Sequence, residues 1–232
     1  MSYADKELMT KYEEEWEGEE KVKFKVTYCT VCEACEPAVQ NVQGIYEIGN
    51  AGQLYWFWSE IRSGNVALDA DAVLTDNITV NEDVLIDGEL NEDGDFRTWY
   101  GIGSNAGKYT GIFDGQGHTI SGLYYDNDST VGSYRGLFGA IGPNASIMNV
   151  IVADSYIFGN GEVGGIAGQN FGGFVMGCYN RSYVGGAGSN IGGIVGQNFG
   201  GVIGCGNSGT VYGEGRYIGG VVGMNTSNGT NP

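Results

Sequence analysis

The second half of the chain alternates short apolar runs with glycine and asparagine. These runs are short and rich in β-branched and aromatic side chains, as in Gly-Gly-Ile-Val-Gly at 192–196. Glycine in a helix interior costs about 1 kcal/mol, so this pattern excludes a helical solenoid. It predicts several short strands joined by tight corners.

The pattern also recurs at a nearly constant interval. Residues 164–173 return almost unchanged at 192–201, begin again at 219–225 and have a degenerate first copy at 135–139. The second glycines of the four copies are 29, 28 and 27 residues apart: Gly136, Gly165, Gly193 and Gly220. Such a period is typical of stacked-repeat proteins. A unit of about 28 residues fits one coil of a parallel β-helix, with roughly 4.8 Å between coils.

Stacked coils place equivalent residues directly above one another, so the period predicts vertical columns. The expected columns are Val150, Cys178 and Cys205; Ile157, Val184 and Val211; Asn170, Asn198 and Asn225; and Phe171 with Phe199. The first two columns are apolar and are expected inside. The asparagine amides are expected to hydrogen-bond along the stack at a corner. A fifth set differs in chemistry, which indicates a solvated turn: Gly161, Ser189 and Arg216.

These units resemble GLUG repeats, which are named for a Gly-Leu-any-Gly core. The matching segments are Gly-Leu-Phe-Gly at 136–139 and Gly-Ile-Val-Gly at 193–196, and residues 111–123 resemble the segment that precedes such repeats. The likeness covers residues 43–225. It implies a right-handed parallel β-helix in a secreted or surface-attached bacterial protein, often of adhesin-like type. Some family members lie beside metallopeptidase domains, but this chain has no His-Glu-x-x-His motif, so that activity does not carry over.

A single helix is predicted at 50–63, near the start of the β-helix domain assigned to 43–232. Asn50 followed by Gln53 resembles a capping box, and Gly64 is a C-terminal stop signal. An apolar stripe follows at helical spacing: Leu54, Phe57, Trp58 and Ile61. Residues 55–58, Tyr-Trp-Phe-Trp, are also compatible with sugar stacking. We interpret the helix as the cap of the solenoid's N-terminal end, because an open end exposes unpaired backbone.

Between the helix and the repeats, residues 66–134 predict irregular first coils with long side loops. The expected strands are 67–68, 72–74, 78–80 and 84–86. An acidic loop at 91–95 suggests calcium, but an EF-hand needs a carboxylate at its twelfth position, where Tyr100 stands; a looser calcium site in this loop stays an alternative. The only histidine, His118, has a suitable pKa range for a general base but no partner that the sequence places beside it. We assign no catalytic, cofactor-binding or metal-binding residue.

Residues 1–42 form a separate acidic extension. The first 20 are interpreted as a solvated helix or tail. Residues 21–28 alternate between polar and apolar side chains, which predicts an edge strand. Cys29, Cys32 and Cys35 are spaced so that they can share a metal, but no fourth ligand lies nearby. A local disulfide and reduced thiols therefore remain alternatives. Residues 36–39 are expected to be a linker.

Charge narrows the range of partners. The formal net charge is −17, which disfavours nucleic acid and anionic membrane surfaces. No run of about 18 apolar residues predicts a membrane span, and no signal-peptide pattern is present. If the export implied by the resemblance holds, its signal lies outside this chain.

Three functions are compatible with these features. The first is a non-catalytic, adhesin-like surface module that presents outer turns to a glycan or host protein. The second is a pectin-lyase-like enzyme acting on polysaccharide, for which the outward charged residues are Glu162, Arg181, Glu214 and Arg216. The third is a spacer beside another domain. The incomplete last coil also predicts end-to-end self-association, because an uncovered coil offers free N–H and C=O groups.

Overall fold

The chain forms a parallel β-solenoid of about six turns with one helix near its N-terminal end. The computed structural model describes residues 8–17, 20–29, 36–127 and 134–226. The strands that precede the repeats are β1 Leu8–Glu17, β2 Glu20–Cys29, β3 Val39–Gln40, β4 Tyr46–Ile48, β5 Ala72–Leu74, β6 Ile78–Thr79, β7 Leu85–Ile86, β8 Glu89–Leu90, β9 Ile112–Asp114, β10 Thr119–Ser121 and β11 Tyr124–Asn127. Helix α1, Ala51–Ser63, lies between β4 and β5.

The repeats contribute the remaining strands in four parallel walls. They are β12 Phe138–Ile141, β13 Ser146–Met148, β14 Ile151–Gly159, β15 Val163–Gly164, β16 Ala167–Asn170, β17 Phe174–Met176, β18 Tyr179–Gly186, β19 Ile191–Gly192, β20 Val195–Asn198, β21 Gly201–Ile203, β22 Gly206–Asn207, β23 Val211–Gly213, β24 Ile218–Gly219 and β25 Val222–Asn225. One wall runs β4-β5-β9-β13-β17-β21, and a second runs β6-β10-β14-β18-β22, with β11 and β23 beside it. The smaller walls are β12-β16-β20-β25 and β15-β19-β24.

All four predicted columns are confirmed. Ile157 is in register with Val184, and Val184 with Val211. Cys178 lies level with Cys205, because Met176 pairs with Ile203 on one side and Tyr179 pairs with Gly206 on the other. Both Cys178 and Val150 are fully buried. Rings of Phe171 and Phe199 stack with centroids 6.3 Å apart. The repeat period therefore corresponds to one coil of the solenoid.

The asparagine column forms a hydrogen-bonded ladder at a corner. The Asn170 Nδ2 donates to Asn198 Oδ1 at 2.8 Å, and Asn198 Nδ2 donates to Asn225 Oδ1 at 2.8 Å. Asn170 Oδ1 also accepts from the backbone N–H of Gly173 at 2.8 Å. Each amide thus closes its own turn and joins the next coil, which satisfies polar groups that would otherwise be buried unpaired.

The second glycine of the first three copies lets coils approach closely, whereas Gly220 in the last copy has no atom within 4 Å. A Cβ at Gly165 would lie 2.6 Å from the carbonyl oxygen of Gly193 and 2.6 Å from Asn180 Oδ1. Such a contact is too short for any side chain, so the glycine is required by packing. This explains why the Gly-Gly pair recurs while the residue after it varies among isoleucine and valine.

Helix α1 begins and ends where the sequence predicts. Asn50 Oδ1 accepts from the Gln53 N–H at 2.9 Å, and Gly64 adopts φ 78°. The predicted stripe is buried, and Phe57 packs edge-on against Tyr109 with centroids 6.3 Å apart. Trp99 extends this aromatic layer, and its indole N–H donates to the carbonyl oxygens of Gly136 and Leu137. The helix thus covers core residues of the first coils.

Two expectations for the irregular region are wrong. Residues 67–68 form a turn, in which the Ala70 N–H donates to Ala67 O at 3.1 Å. The carbonyl oxygen of Leu68 accepts from the Thr110 N–H. Strand β7 pairs antiparallel with β8 as a side hairpin rather than as a coil strand. Strands β5 and β6 do join the walls as expected.

The N-terminal extension also differs from expectation. Residues 8–17 are not a helix or tail, because β1 pairs antiparallel with β2 along its whole length. The register sets Glu14 opposite Lys23 and Glu17 opposite Glu20. The strand predicted at 21–28 is confirmed as β2. Cys32 and Cys35 lie outside the described residues, and so does the side chain of Cys29.

Candidate functional site

The outward surface of the second wall carries a cluster of aromatic rings. Strand β14 alternates inward and outward, so Val152 and Ile157 are buried while Tyr156 and Phe158 face outward and are half-buried. We name as the aromatic face the outward rings of this wall: Tyr124, Tyr156, Phe158, Tyr183 and Tyr212. Tyr124, Tyr156 and Tyr183 are in register with one another, and Phe158 and Tyr212 belong to a second column in which Gly185 lies between them.

Three tyrosines of the aromatic face stack along the solenoid axis. Tyr156 and Tyr183 have centroids 4.8 Å apart and planes inclined by 17°, and Tyr124 stacks on Tyr156 at 6.4 Å and 26°. Phe158 lies beside Tyr156 with centroids 6.2 Å apart. The centroid spacing of Tyr156 and Tyr183 matches the strand spacing of a sheet, so the wall itself aligns the rings.

A local irregularity is needed for this alignment. Between Ala153 and Tyr156 the register of β14 against β18 shifts by one residue, and Asp154 takes a φ of 46° there. Ser155 holds the bulge: its Oγ donates to Ala153 O at 2.7 Å and accepts from the Leu123 N–H at 2.9 Å. The extra residue is absorbed in the bulge, which restores Tyr156 to the level of Tyr183.

The tyrosine hydroxyls of this face remain protonated at neutral pH. Burial, followed by the nearby Asp126 carboxylate, raises the pKa of both Tyr124 and Tyr156. Burial, with a smaller effect of Tyr212, also raises the pKa of Tyr183. The hydrogen bond from the Tyr212 hydroxyl to Glu214, 3.0 Å long, raises the pKa of Tyr212. The face therefore presents a row of neutral O–H groups, each a donor and an acceptor.

The charged residues considered from sequence are dispersed. Glu162 accepts from Asn190 Nδ2 at 3.3 Å, the Arg181 guanidinium lies over the Tyr179 ring, and the Arg216 backbone N–H donates to Ser189 Oγ. Only Glu214 reaches the aromatic face. His118 lies in a turn, where its backbone carbonyl accepts from the Ile151 N–H at 3.1 Å. Within the described ranges, no three His, Cys, Asp or Glu side chains come together as a metal site, and this includes the loop at 91–95.

The aromatic face was missed from sequence, although a signal for it exists. Ile157 and Val184 were assigned to one interior column, and the residues that precede them are Tyr156 and Tyr183. In a strand, neighbours of an inward residue point outward, so a second, exterior column of tyrosines follows directly. Tyr124 was not predictable in this way, because the intervening segment breaks the period.

Comparisons with known proteins support the architecture. A proposed immunoglobulin A1 protease from Bacteroides ovatus has a similar structure, with a TM-score of 0.54 and 20% sequence identity; the similarity covers 82% of this chain and 64% of that one. At this identity the likeness shows the fold alone. No family model matches the chain.

Two curated relatives match shorter segments. The chain is 38% identical over 77 residues to a proposed Gly-rich membrane protein of Evansella cellulosilytica, and 38% identical over 64 residues to halomucin of Haloquadratum walsbyi. These matches cover 32% and 28% of this chain, but 9% and 1% of the relatives' own lengths. None of the helices in the described part of the chain is long and apolar enough to cross a membrane.

Proposed function

We propose that this chain is a non-catalytic β-solenoid module of a secreted or cell-surface protein, adhesin-like, and that it binds neutral glycan through the aromatic face. The observation that carries the proposal is the row of stacked tyrosines, Tyr124, Tyr156 and Tyr183. The solenoid fold, the GLUG resemblance and the similarity to halomucin and a Gly-rich membrane protein support a surface role.

The geometry of the aromatic face favours an extended ligand. Rings that stack on one another cover much of each other's broad surface, so their edges and hydroxyls face the solvent. A polymer lying along the axis would meet a hydroxyl at each coil from Tyr124 to Tyr183. The rings are fixed by the sheet before binding, which lowers the entropy lost on association. The overall charge of −17 disfavours a polyanion at this surface.

Glycan-array binding of the wild type and two matched variants tests this proposal. Tyr183→Ala removes the end of the tyrosine row, the ring that stacks most closely on Tyr156, whereas Phe199→Ala removes a ring from a comparable stack on another corner. We expect Tyr183→Ala to reduce binding to neutral glycans at least tenfold, because the contacts of the ring edge and of the hydroxyl are both lost. Phe199→Ala should bind as the wild type does.

The proposal fails if both variants bind equally, or if the array shows no neutral glycan. A turnover assay on pectin and related polymers belongs in the same experiment. Release of unsaturated sugars would contradict the non-catalytic surface module and favour the lyase-like enzyme.

We also propose end-to-end self-association through the last coil. Val221 and Ile218 in this coil are 37% and 40% exposed, and strand β25 has a partner on one side only within the described residues. Val221→Lys should reduce any association seen by light scattering at high concentration. Val42→Lys is the control, since Val42 is fully exposed near the other end. A strictly monomeric wild type would contradict the proposal.

A further inference from the structure

A cleft of about 950 Å³ lies between the C-terminal end of α1 and the loop at 101–107. Its helix side is formed by Trp58, Ile61 and Arg62, and the aromatic ring of Tyr100 lies beside them. Tyr134 and Arg135 contribute to the same lining. A volume of this size falls within the range that holds small ligands in proteins. The cleft is separate from the aromatic face, and the inference below does not depend on the function proposed there.

The composition of this cleft is opposite to that of the whole chain. The sequence has 28 acidic and 11 basic residues, yet the described residues that line the cleft include two arginines and no aspartate or glutamate. The rest of the lining is aromatic, aliphatic or small and polar, with Ser63, Ser104 and Asn105 at the exposed part. The described lining therefore carries two positive charges on an acidic protein, with the Glu162 carboxylate outside the lining but near Tyr134.

Both guanidiniums lie over aromatic rings. The Arg62 guanidinium lies 5.3 Å from the Trp58 centroid and 6.0 Å from that of Tyr100. The Arg135 guanidinium lies 4.0 Å from the Tyr125 centroid, and its Nη2 donates to the Tyr125 hydroxyl at 2.7 Å. The Arg135 Nη1 also donates to the Tyr134 backbone carbonyl at 3.2 Å, and the buried Arg135 Nε has no acceptor within the described part of the chain.

The helix terminus does not use these cations. The carbonyl oxygens of Glu60 and Ile61 accept from the backbone N–H of Gly64, and Glu60 O also accepts from Asn65 and Val66. Because backbone groups already cap the helix, the Arg62 side chain is available to a ligand. The opposite wall is also fixed, since Ser104 N–H donates to Gly107 O at 2.8 Å and Tyr109 N–H to Ala140 O at 3.1 Å.

We propose that this cleft binds an acidic monosaccharide unit, with its carboxylate on Arg62 and Arg135 and its pyranose ring against Tyr100. Guanidinium groups bind carboxylates through charge-assisted and often bidentate hydrogen bonds. Aromatic walls favour the apolar face of a sugar ring, and the serines and asparagine match its hydroxyls. A single carboxylate is compatible with the charge of −17, because long-range repulsion is screened over about 8 Å at physiological salt.

The test is a titration of the whole chain, labelled for NMR, with glucuronic acid and with N-acetylneuraminic acid, the two common sources of this chemistry. Glucose and the methyl ester of glucuronic acid are the neutral probes, and inorganic phosphate is the anion without a sugar ring. We expect at least one acidic sugar to shift the backbone amide signals of residues 101–107, with the neutral probes at least tenfold weaker because the charge-assisted bonds are absent.

Variants assign the effect to the cleft. Arg62→Gln and Arg135→Gln should each weaken acidic-sugar binding about tenfold or more. Arg181→Gln removes an arginine that also lies over a tyrosine, 5.4 Å away, but outside the cleft, and it should not change binding. If Arg135→Gln fails to fold, Arg62→Gln and the amide shifts of the wild type still decide the question.

Three outcomes would overturn this assignment: no shift with either acidic sugar, equal binding of the neutral probes, or unchanged binding by Arg62→Gln. Phosphate binding as tightly as the acidic sugars would also overturn it, since that result describes a general anion site without saccharide recognition.

Discussion

The two ends of the solenoid differ in how completely their apolar side chains are buried. At the N-terminal end, α1 inserts Leu54 and Phe57, both fully buried, against the first coils. At the other end, the last repeat has no cover within the described residues. Ile191 is fully buried in the third repeat, whereas its partner in register, Ile218, is 40% exposed. The same sequence motif therefore contributes different amounts to the free energy of unfolding in successive coils.

This difference shows what a repeat requires for stability. Each coil buries its apolar side chains only when another coil or a cap lies on both sides, as expected for a nearest-neighbour stack. The last coil keeps the backbone geometry of the others, since β25 pairs with β20 in full register. Its side chains contribute less, because they are removed from water on one side only.

The largest expected effect is at the closed end. Phe57→Ala should lower the free energy of unfolding by about 3–5 kcal/mol, because it leaves a cavity beneath the helix. Urea denaturation followed by circular dichroism measures the change. Val42→Ala, at a fully exposed position, is the control and should change stability by less than about 0.5 kcal/mol. A loss below about 1 kcal/mol for Phe57→Ala would mean that the helix does not close the core.

The next effect compares one position in two coils. Ile191→Ala should cost about 2–5 kcal/mol, whereas Ile218→Ala should cost less than half as much, because Ile218 already contacts water. The two substitutions remove the same atoms, so the difference reports burial alone. Equal losses in the same urea assay would indicate that the last coil is covered in solution, for example by a second molecule.

The third effect concerns the asparagine ladder. Asn170→Ala removes hydrogen bonds from a fully buried amide and leaves the Gly173 N–H without its acceptor. A cost of about 1–3 kcal/mol is expected for such an unpaired group. Asn225→Ala removes an exposed amide from the same column and should cost a few tenths of that amount. If the two values agree, the ladder does not depend on burial.

The interior columns and the helix were predictable from the sequence. The repeat period determines which residues share a column. The spacing of Gly165 and Gly193 was sufficient to place the interior columns and the asparagine corner. The helix was equally clear, since Asn50 and Gly64 are local signals that act through adjacent backbone groups.

The rest depended on contacts that have no period. The side hairpin of Leu85–Ile86 and the pairing of β1 with β2 rest on tertiary or cross-strand contacts that override the local pattern. The cleft of Arg62 and Arg135 joins residues 73 positions apart in the sequence, and no motif connects them. The aromatic face is an intermediate case. The repeat period contains the positions of Tyr156 and Tyr183, but it was applied only to the inward residues.

The smallest effect concerns the two cysteines of the interior column. Cys178 is fully buried, and its pKa is raised by its hydrogen bond with Cys205 and by burial. Cys205, one coil nearer the open end, is half-buried, and the same hydrogen bond with Cys178 lowers its pKa to about 7. Alkylation requires the thiolate, so Cys205 should react faster than Cys178 at pH 7, and its rate should rise with pH and level off above the pKa.

Peptide mass spectrometry after a short iodoacetamide pulse measures each site separately from the other cysteines. Cys178→Val is the informative variant: it removes the S–H donor that stabilises the Cys205 thiolate, so the pKa of Cys205 should rise and its alkylation at pH 7 should slow. If Cys178 instead reacts as fast as Cys205 in the wild type, the coils separate on the timescale of the pulse. The gradient of burial from the closed end to the open end would then not persist in solution.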